Sequence, residues 1–152
     1  MMKLKLTYPS RSEEEEILER MLVEAPIDVR TLLDRDRLLD LRLATDKVYL
    51  DQKMRRYVID LIQATRQPRE AGAGDLAELI AFGASPRATL FLARAAKGMA
   101  LVRGRGFVIP EDVKEMAPDV LRHRLVATYE AEVEEITTDD LVARLLDRVE
   151  VP

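Results

Sequence analysis

The chain has 152 residues, 47% of them hydrophobic and 34% charged, with a formal net charge of −4. This is enough apolar material for one domain with a buried core, and too much for a disordered chain. The absence of cysteine excludes disulfides, thiolate metal sites and a cysteine nucleophile, and the negative balance argues against general affinity for nucleic acid.

Residues 2–8 alternate, with Leu4, Leu6 and Tyr8 against Lys3, Lys5 and Thr7. Period two predicts a half-buried strand, and a lone strand cannot satisfy its own backbone groups. It either pairs with a weaker strand in this chain or belongs to a sheet outside it. Pro9 stops it. Ser12 and Glu15 have the spacing of a capping box, and Ile17, Leu18, Met21 and Leu22 then line one face of a helix to about Glu24. The acidic run 13–16 reads as the first turn of that helix, which the dipole favours, rather than as a metal site. Pro26 breaks the pattern. A second helix is predicted over about 36–46, with Leu38, Leu39, Leu41 and Leu43 as core supply, and 48–50 as an extended linker.

Asp51 caps the clearest helix, where Met54, Tyr57, Val58, Leu61 and Ile62 fall at i, i+3, i+4, i+7 and i+8. Pro68 ends it. Gly72 and Gly74 form a loop without the Lys-Ser/Thr pair of a phosphate loop. Residues 75–82 are apolar enough for a short helix. The next helix starts at Ser85 and runs to about Arg103, with Leu90, Phe91, Ala95, Met99 and Val102 inward and Gly104 as its C-terminal cap. Residues 107–109 are extended. Pro110 opens a helix to about Ala117, Pro118 ends it, and Asp119 starts another carrying Val120, Leu121 and Leu125. Residues 126–136 read as a hairpin arm or an extended loop. Thr138 caps a last helix with Leu141, Val142, Leu145, Leu146 and Val149.

One helix start is unusual. Ser85 is a good N-cap, and Pro86 falls at the first helical position, where its missing N–H costs nothing. Arg87 follows in the first turn. A cation there opposes the helix dipole by roughly 0.3–1 kcal/mol. It makes sense if cation and terminus face one anion, such as a phosphate. On local physics alone, a solvated surface arginine is the plainer reading.

Other clusters are weaker. Arg35/Arg37 and Arg55/Arg56 read as helix surfaces with intrahelical ion pairs. Arg103-Gly104-Arg105-Gly106 reads as cap and turn, with a phosphate nest as the alternative. His123 is the only histidine, and with no cysteine it makes a zinc site improbable; no metal ligand is assigned. With no apolar run of membrane length and no signal peptide, the expected location is cytoplasmic.

Gly83-Ala84-Ser85-Pro86-Arg87-Ala88, the Ala/Leu-rich helix after it, Arg103-Gly104-Arg105, Val108-Ile109-Pro110-Glu111-Asp112-Val113 and Val120-Leu121-Arg122-His123-Arg124-Leu125 occur in this order. Together they resemble the C-terminal part of a MoxR-family AAA+ ATPase. Leu4-Lys5-Leu6 with Tyr8-Pro9-Ser10, Val48-Tyr49-Leu50-Asp51 and Ala64-Thr65-Arg66 fit the same pattern. The resemblance implies a mainly α fold: a helical lid over residues 9–152, with residues 1–8 left over from the last strand of an α/β core. It implies that Arg87 is the second sensor, reaching the γ-phosphate of ATP with Ser85 and Pro86 beside it. ATP and Mg²⁺ would belong to the parent protein.

Its partners would be its own AAA+ core, neighbouring subunits of a hexameric ring, and client proteins, some with von Willebrand factor A domains. The phosphate-loop and acidic Mg²⁺-binding motifs are absent from these 152 residues. The chain alone is therefore expected neither to hold ATP tightly nor to hydrolyse it. Residues 75–82 are longer and more apolar than the family pattern. A stand-alone helical interaction module without nucleotide chemistry is the alternative, and nucleic-acid binding through residues 122–124 is disfavoured by net charge.

Overall fold

The computed structural model describes residues 1–22 and 29–152. The expected end of the first helix at Glu24 and the break at Pro26 lie outside the described residues. The rest is mainly helical: α1 (Arg11–Met21), α2 (Arg35–Lys47), α3 (Gln52–Ala64), α4 (Pro86–Val102), α5 (Pro110–Leu121), α6 (Tyr129–Val133) and α7 (Thr138–Arg148). A 3-10 turn at Gly74–Leu76 and a small sheet of β1 (Ile80–Phe82) and β2 (Val126–Ala127) complete it.

The core forms where the sequence is most periodic. Asp51 caps α3, and Met54, Tyr57, Val58, Leu61 and Ile62 are all buried. Each large side chain removed from water contributes about 1.5–3 kcal/mol. The most extensive helix pairing is α4 on α5. On α4 the buried residues are Ala88, Leu92, Ala95, Ala96 and Ala100, and on α5 they include Val113, Met116, Ala117, Val120 and Leu121. Alanines let the two helices approach closely. The other side of the core is closed by α7, through Leu141, Val142 and Leu145. The two extended segments at 48–50 and 107–109 meet: Tyr49 N–H donates to Gly106 O at 2.8 Å and Val108 N–H to Tyr49 O at 3.0 Å. Gly104, at φ 70°, ends α4 as expected.

Several expectations are corrected. Residues 1–9 form no strand here, so the expectation of a strand partner within this chain is overturned, and Leu4, Leu6 and Tyr8 are exposed. One backbone bond, Lys3 N–H to Asp119 O, replaces a ladder, because no second strand lies beside this segment among the described residues. The capping box of α1 is Ser10 with Glu13, two residues earlier than the pattern suggested. Helices α1 and α2 bury no residue fully, and Ile17, Leu18, Met21, Leu22, Leu38, Leu39, Leu41 and Leu43 are exposed. An amphipathic stripe is buried only where something packs on it.

Residues 75–82 are not a helix, since they give a turn and then β1, which pairs antiparallel with β2. So short a segment gains little from an isolated helix and more from a sheet partner. Residues 126–136 are accordingly neither hairpin arm nor loop, but β2 followed by α6. Pro118 lies inside a continuous α5. It removes one helical donor, toward Lys114 O, while buried residues on both sides hold the helix together. On α4, Leu90 and Val102 are exposed, because the alanine-rich side faces the core. The cap of α7 is Thr137, one residue before the expected one.

Candidate functional site

The site is built on the end of α3. Thr65 is its C-terminal cap and is buried. The Thr65 hydroxyl donates to Ile62 O at 2.7 Å and accepts from the Ala84 N–H at 2.9 Å. It thereby ties the end of α3 to the loop entering α4. Gly83 rests directly on this cap. A Cβ there would lie 2.3 Å from the Thr65 carbonyl oxygen and 2.7 Å from Arg66 Cγ, so only glycine fits. On the other side, β1 leads into Gly83, and Thr128 holds its approach through N–H to Leu79 O at 3.0 Å and Oγ1 to Glu78 O at 2.8 Å.

From this base Ser85 takes extended backbone as the N-cap of α4, and Pro86 occupies the first helical position. The Ser85 hydroxyl makes no capping bond, contrary to the sequence expectation, and its carbonyl instead accepts from the Ala88 N–H at 2.8 Å. Ala84 and Ala88 are fully buried, whereas Ser85, Pro86 and Arg87 are exposed. Buried residues thus flank an exposed trio that points outward from a fixed base. No carboxylate pairs with Arg87 among the described residues. Chemically the arrangement offers a guanidinium and a helix N-terminus to one anion.

The basic residues at 103–105 and 122–124 are engaged internally. Arg105 makes a two-bond pair with Asp112, and Arg103 pairs with Glu115. Burial would raise the Asp112 pKa. The bonds from Arg105 and the Ile109 N–H, with the charges of Arg105 and Arg103, outweigh it and hold the carboxyl below its usual range. Arg122 binds Asp119, Asp139 and the Lys3 carbonyl. Arg124 lies over the Phe91 ring at 5.2 Å from its centroid. Burial and the neighbouring Arg124 charge push the pKa of His123 down. No group of three or more His, Cys, Asp or Glu that could hold a metal occurs among the described residues. No described helix is long and apolar enough to cross a membrane. Sequence reasoning assigned no role to Thr65; its signals were the Ala64-Thr65-Arg66 segment that fits the family pattern and its place at the end of the best helix.

This helical bundle with a two-stranded sheet matches the AAA lid domain family over residues 73–145. These residues thereby fall in the AAA lid class. Over all 152 residues the chain is 43% identical to Chaperone MoxR1 of Mycobacterium tuberculosis, covering 40% of that protein. It is 43% identical over 76 residues to Protein MoxR of Paracoccus denitrificans, covering 22% of it. The crystal structure of a candidate ATPase from Cytophaga hutchinsonii superposes with a TM-score of 0.93 at 37% identity, over the whole of this chain and 46% of the other. Residues 73–145 thus match an AAA lid, the chain as a whole is similar to MoxR proteins, and it spans less than half the length of these relatives.

Proposed function

We propose that this chain is the lid of an ATP-hydrolysing protein, and that Arg87 is its second sensor, binding the γ-phosphate of ATP held on a separate core. The observation that carries this is the exposed Arg87 at the start of α4, without a carboxylate partner among the described residues, on a base fixed by Thr65 and Gly83. The partial positive charge of the helix start and the guanidinium then address the same phosphate. A charge-assisted bond of this kind contributes roughly 1.5–3 kcal/mol. That exceeds the dipole penalty of roughly 0.3–1 kcal/mol carried without the anion. Binding would draw the lid onto the core, a domain closure that couples nucleotide state to shape.

In this reading residues 1–8 belong to the last strand of the core sheet. Their exposed Leu4, Leu6 and Tyr8 await sheet partners. The apolar faces of α1 and α2 would meet the core or a neighbouring subunit of a hexameric ring. ATP with Mg²⁺ is the nucleotide of the whole protein, and closure serves to remodel or mature client proteins, among them some with von Willebrand factor A domains. The test is Arg87→Ala in the full-length protein. ATP turnover is expected to fall about tenfold or more, with the fold intact by circular dichroism. Unchanged turnover would remove Arg87 from the mechanism.

A further inference from the structure

Two polar side chains are fully enclosed among the described residues, Thr65 and Asp112. Asp112 is accounted for by its arginines. Thr65 instead makes two backbone bonds, one within its own helix end to Ile62 O and one to the Ala84 N–H nineteen residues on. We infer that Thr65 is the positioning residue of Arg87: its hydroxyl sets the direction in which α4 presents the guanidinium. This rests on the reading of Arg87 given above.

The geometry leaves little play. A helix end has carbonyls without helical partners. In a continuing helix the Arg66 N–H would meet Ile62 O, but it goes to Gln63 O instead. The Thr65 proton takes its place on Ile62 O, and a lone pair of the same oxygen takes the buried Ala84 N–H. One hydroxyl therefore meets two buried backbone groups, each of which is costly to leave unpaired. The Thr65 carbonyl lies beneath Gly83 as well, so Gly83-Ala84 is held at two points by one residue. Between Ala84 and Arg87 stand only an extended N-cap and a proline, whose ring fixes its own φ. Beneath Thr65, α3 is anchored by Tyr57, Val58, Leu61 and Ile62 in the core. A change at the Thr65 hydroxyl therefore reaches Arg87 without a flexible segment to absorb it.

The experiment uses the full-length protein with Thr65→Val, Thr65→Ser, Arg87→Ala and the Thr65→Val/Arg87→Ala double variant, with ATP as the probe. Turnover is measured across ATP concentrations, with thermal midpoints alongside. Valine keeps the shape and removes the hydroxyl, so kcat should fall about tenfold, while serine stays within about twofold of wild type. The double variant should be no slower than Arg87→Ala alone, because Thr65 acts through Arg87. If Arg87→Ala is slow but Thr65→Val is not, or if the two losses multiply in the double variant, Thr65 is merely structural and the inference is overturned. Failure of serine to restore turnover would overturn it too. If Arg87→Ala turns over normally, it is the reading of Arg87 that fails, and this inference falls with it. Should valine prevent folding, Thr65→Cys supplies the same comparison through its weaker acceptor, with turnover expected between those of serine and Arg87→Ala.

Discussion

Arg105 grips Asp112 with two guanidinium nitrogens, at 2.8 Å and 2.5 Å, across the turn between α4 and α5. The same carboxylate accepts the Ile109 N–H at 3.0 Å at the start of α5. A motif that in sequence had the look of a cap followed by a turn is thus also an electrostatic clasp. It joins the two helices that pack most extensively.

Replacing Arg105 by methionine leaves a carboxylate with no solvent exposure short of its main partner. Arg103, 3.8 Å away, compensates only in part. The expected loss is about 3 kcal/mol, or roughly 6–12 °C in Tm for a chain of this size. Denaturant unfolding measures it, and a loss under about 1 kcal/mol would mean that the clasp is replaceable by packing.

The same pair sets an acid limit. The folded-state pKa of Asp112 lies below its ordinary 3.8. A depressed carboxyl contributes stability that is present above the unfolded pKa and is lost as pH falls through the folded one. Stability should therefore decline as pH drops below about 4, and Asp112→Asn should flatten that part of the profile. Thermal melts from pH 6 to about pH 2.5 would show this difference in slope.

Gly83→Ala tests the contact beneath the Arg87 loop. The added methyl would meet the Thr65 carbonyl at 2.3 Å, and that carbonyl is part of a helix end that cannot easily move. A cost of about 2 kcal/mol or more is expected, together with a chemical-shift change at Ala84 N–H, whose bond to Thr65 must lengthen. Wild-type stability and an unmoved amide would contradict the packing described for this loop.

A pair of leucines separates core from surface. Leu61 on α3 is fully buried, whereas Leu18 on α1 is 58% exposed. Leu61→Ala should cost about 2–5 kcal/mol. In this chain, Leu18→Ala should stay within about 0.5 kcal/mol of wild type. A large effect at Leu18 would place α1 in the core.

Much of the core was legible because it depends on local rules. The stripe Met54, Tyr57, Val58, Leu61 and Ile62 has a single period and a single cap, and all five residues are buried. The helix start at Ser85-Pro86 and the helix end at Gly104 follow from N-cap, proline and positive-φ chemistry. Arg87 was found by its oddness, as a cation at a helix start. Its exposure, with no carboxylate partner among the described residues, is common to the solvated and the anion-seeking readings.

What failed to show in sequence depended on partners. The leucines of α1 and α2 have the periodicity of core residues, yet what covers an apolar stripe is a property of the neighbours. The pairing of residues 80–82 with 126–127 joins segments that are each too short to declare themselves. Pro118 is a helix breaker by local rules, and burial on both sides overrode it.

By itself the sequence determined a helical protein, its best helices and the position of Arg87, because propensity, capping and periodicity act within a few residues. Only the tertiary structure decided which apolar faces are covered. It also decided that Thr65, nineteen residues before Ala84, holds the loop that presents Arg87. A hydrogen bond between distant backbone segments leaves no periodic trace in the chain; it exists only once α3 and α4 have packed.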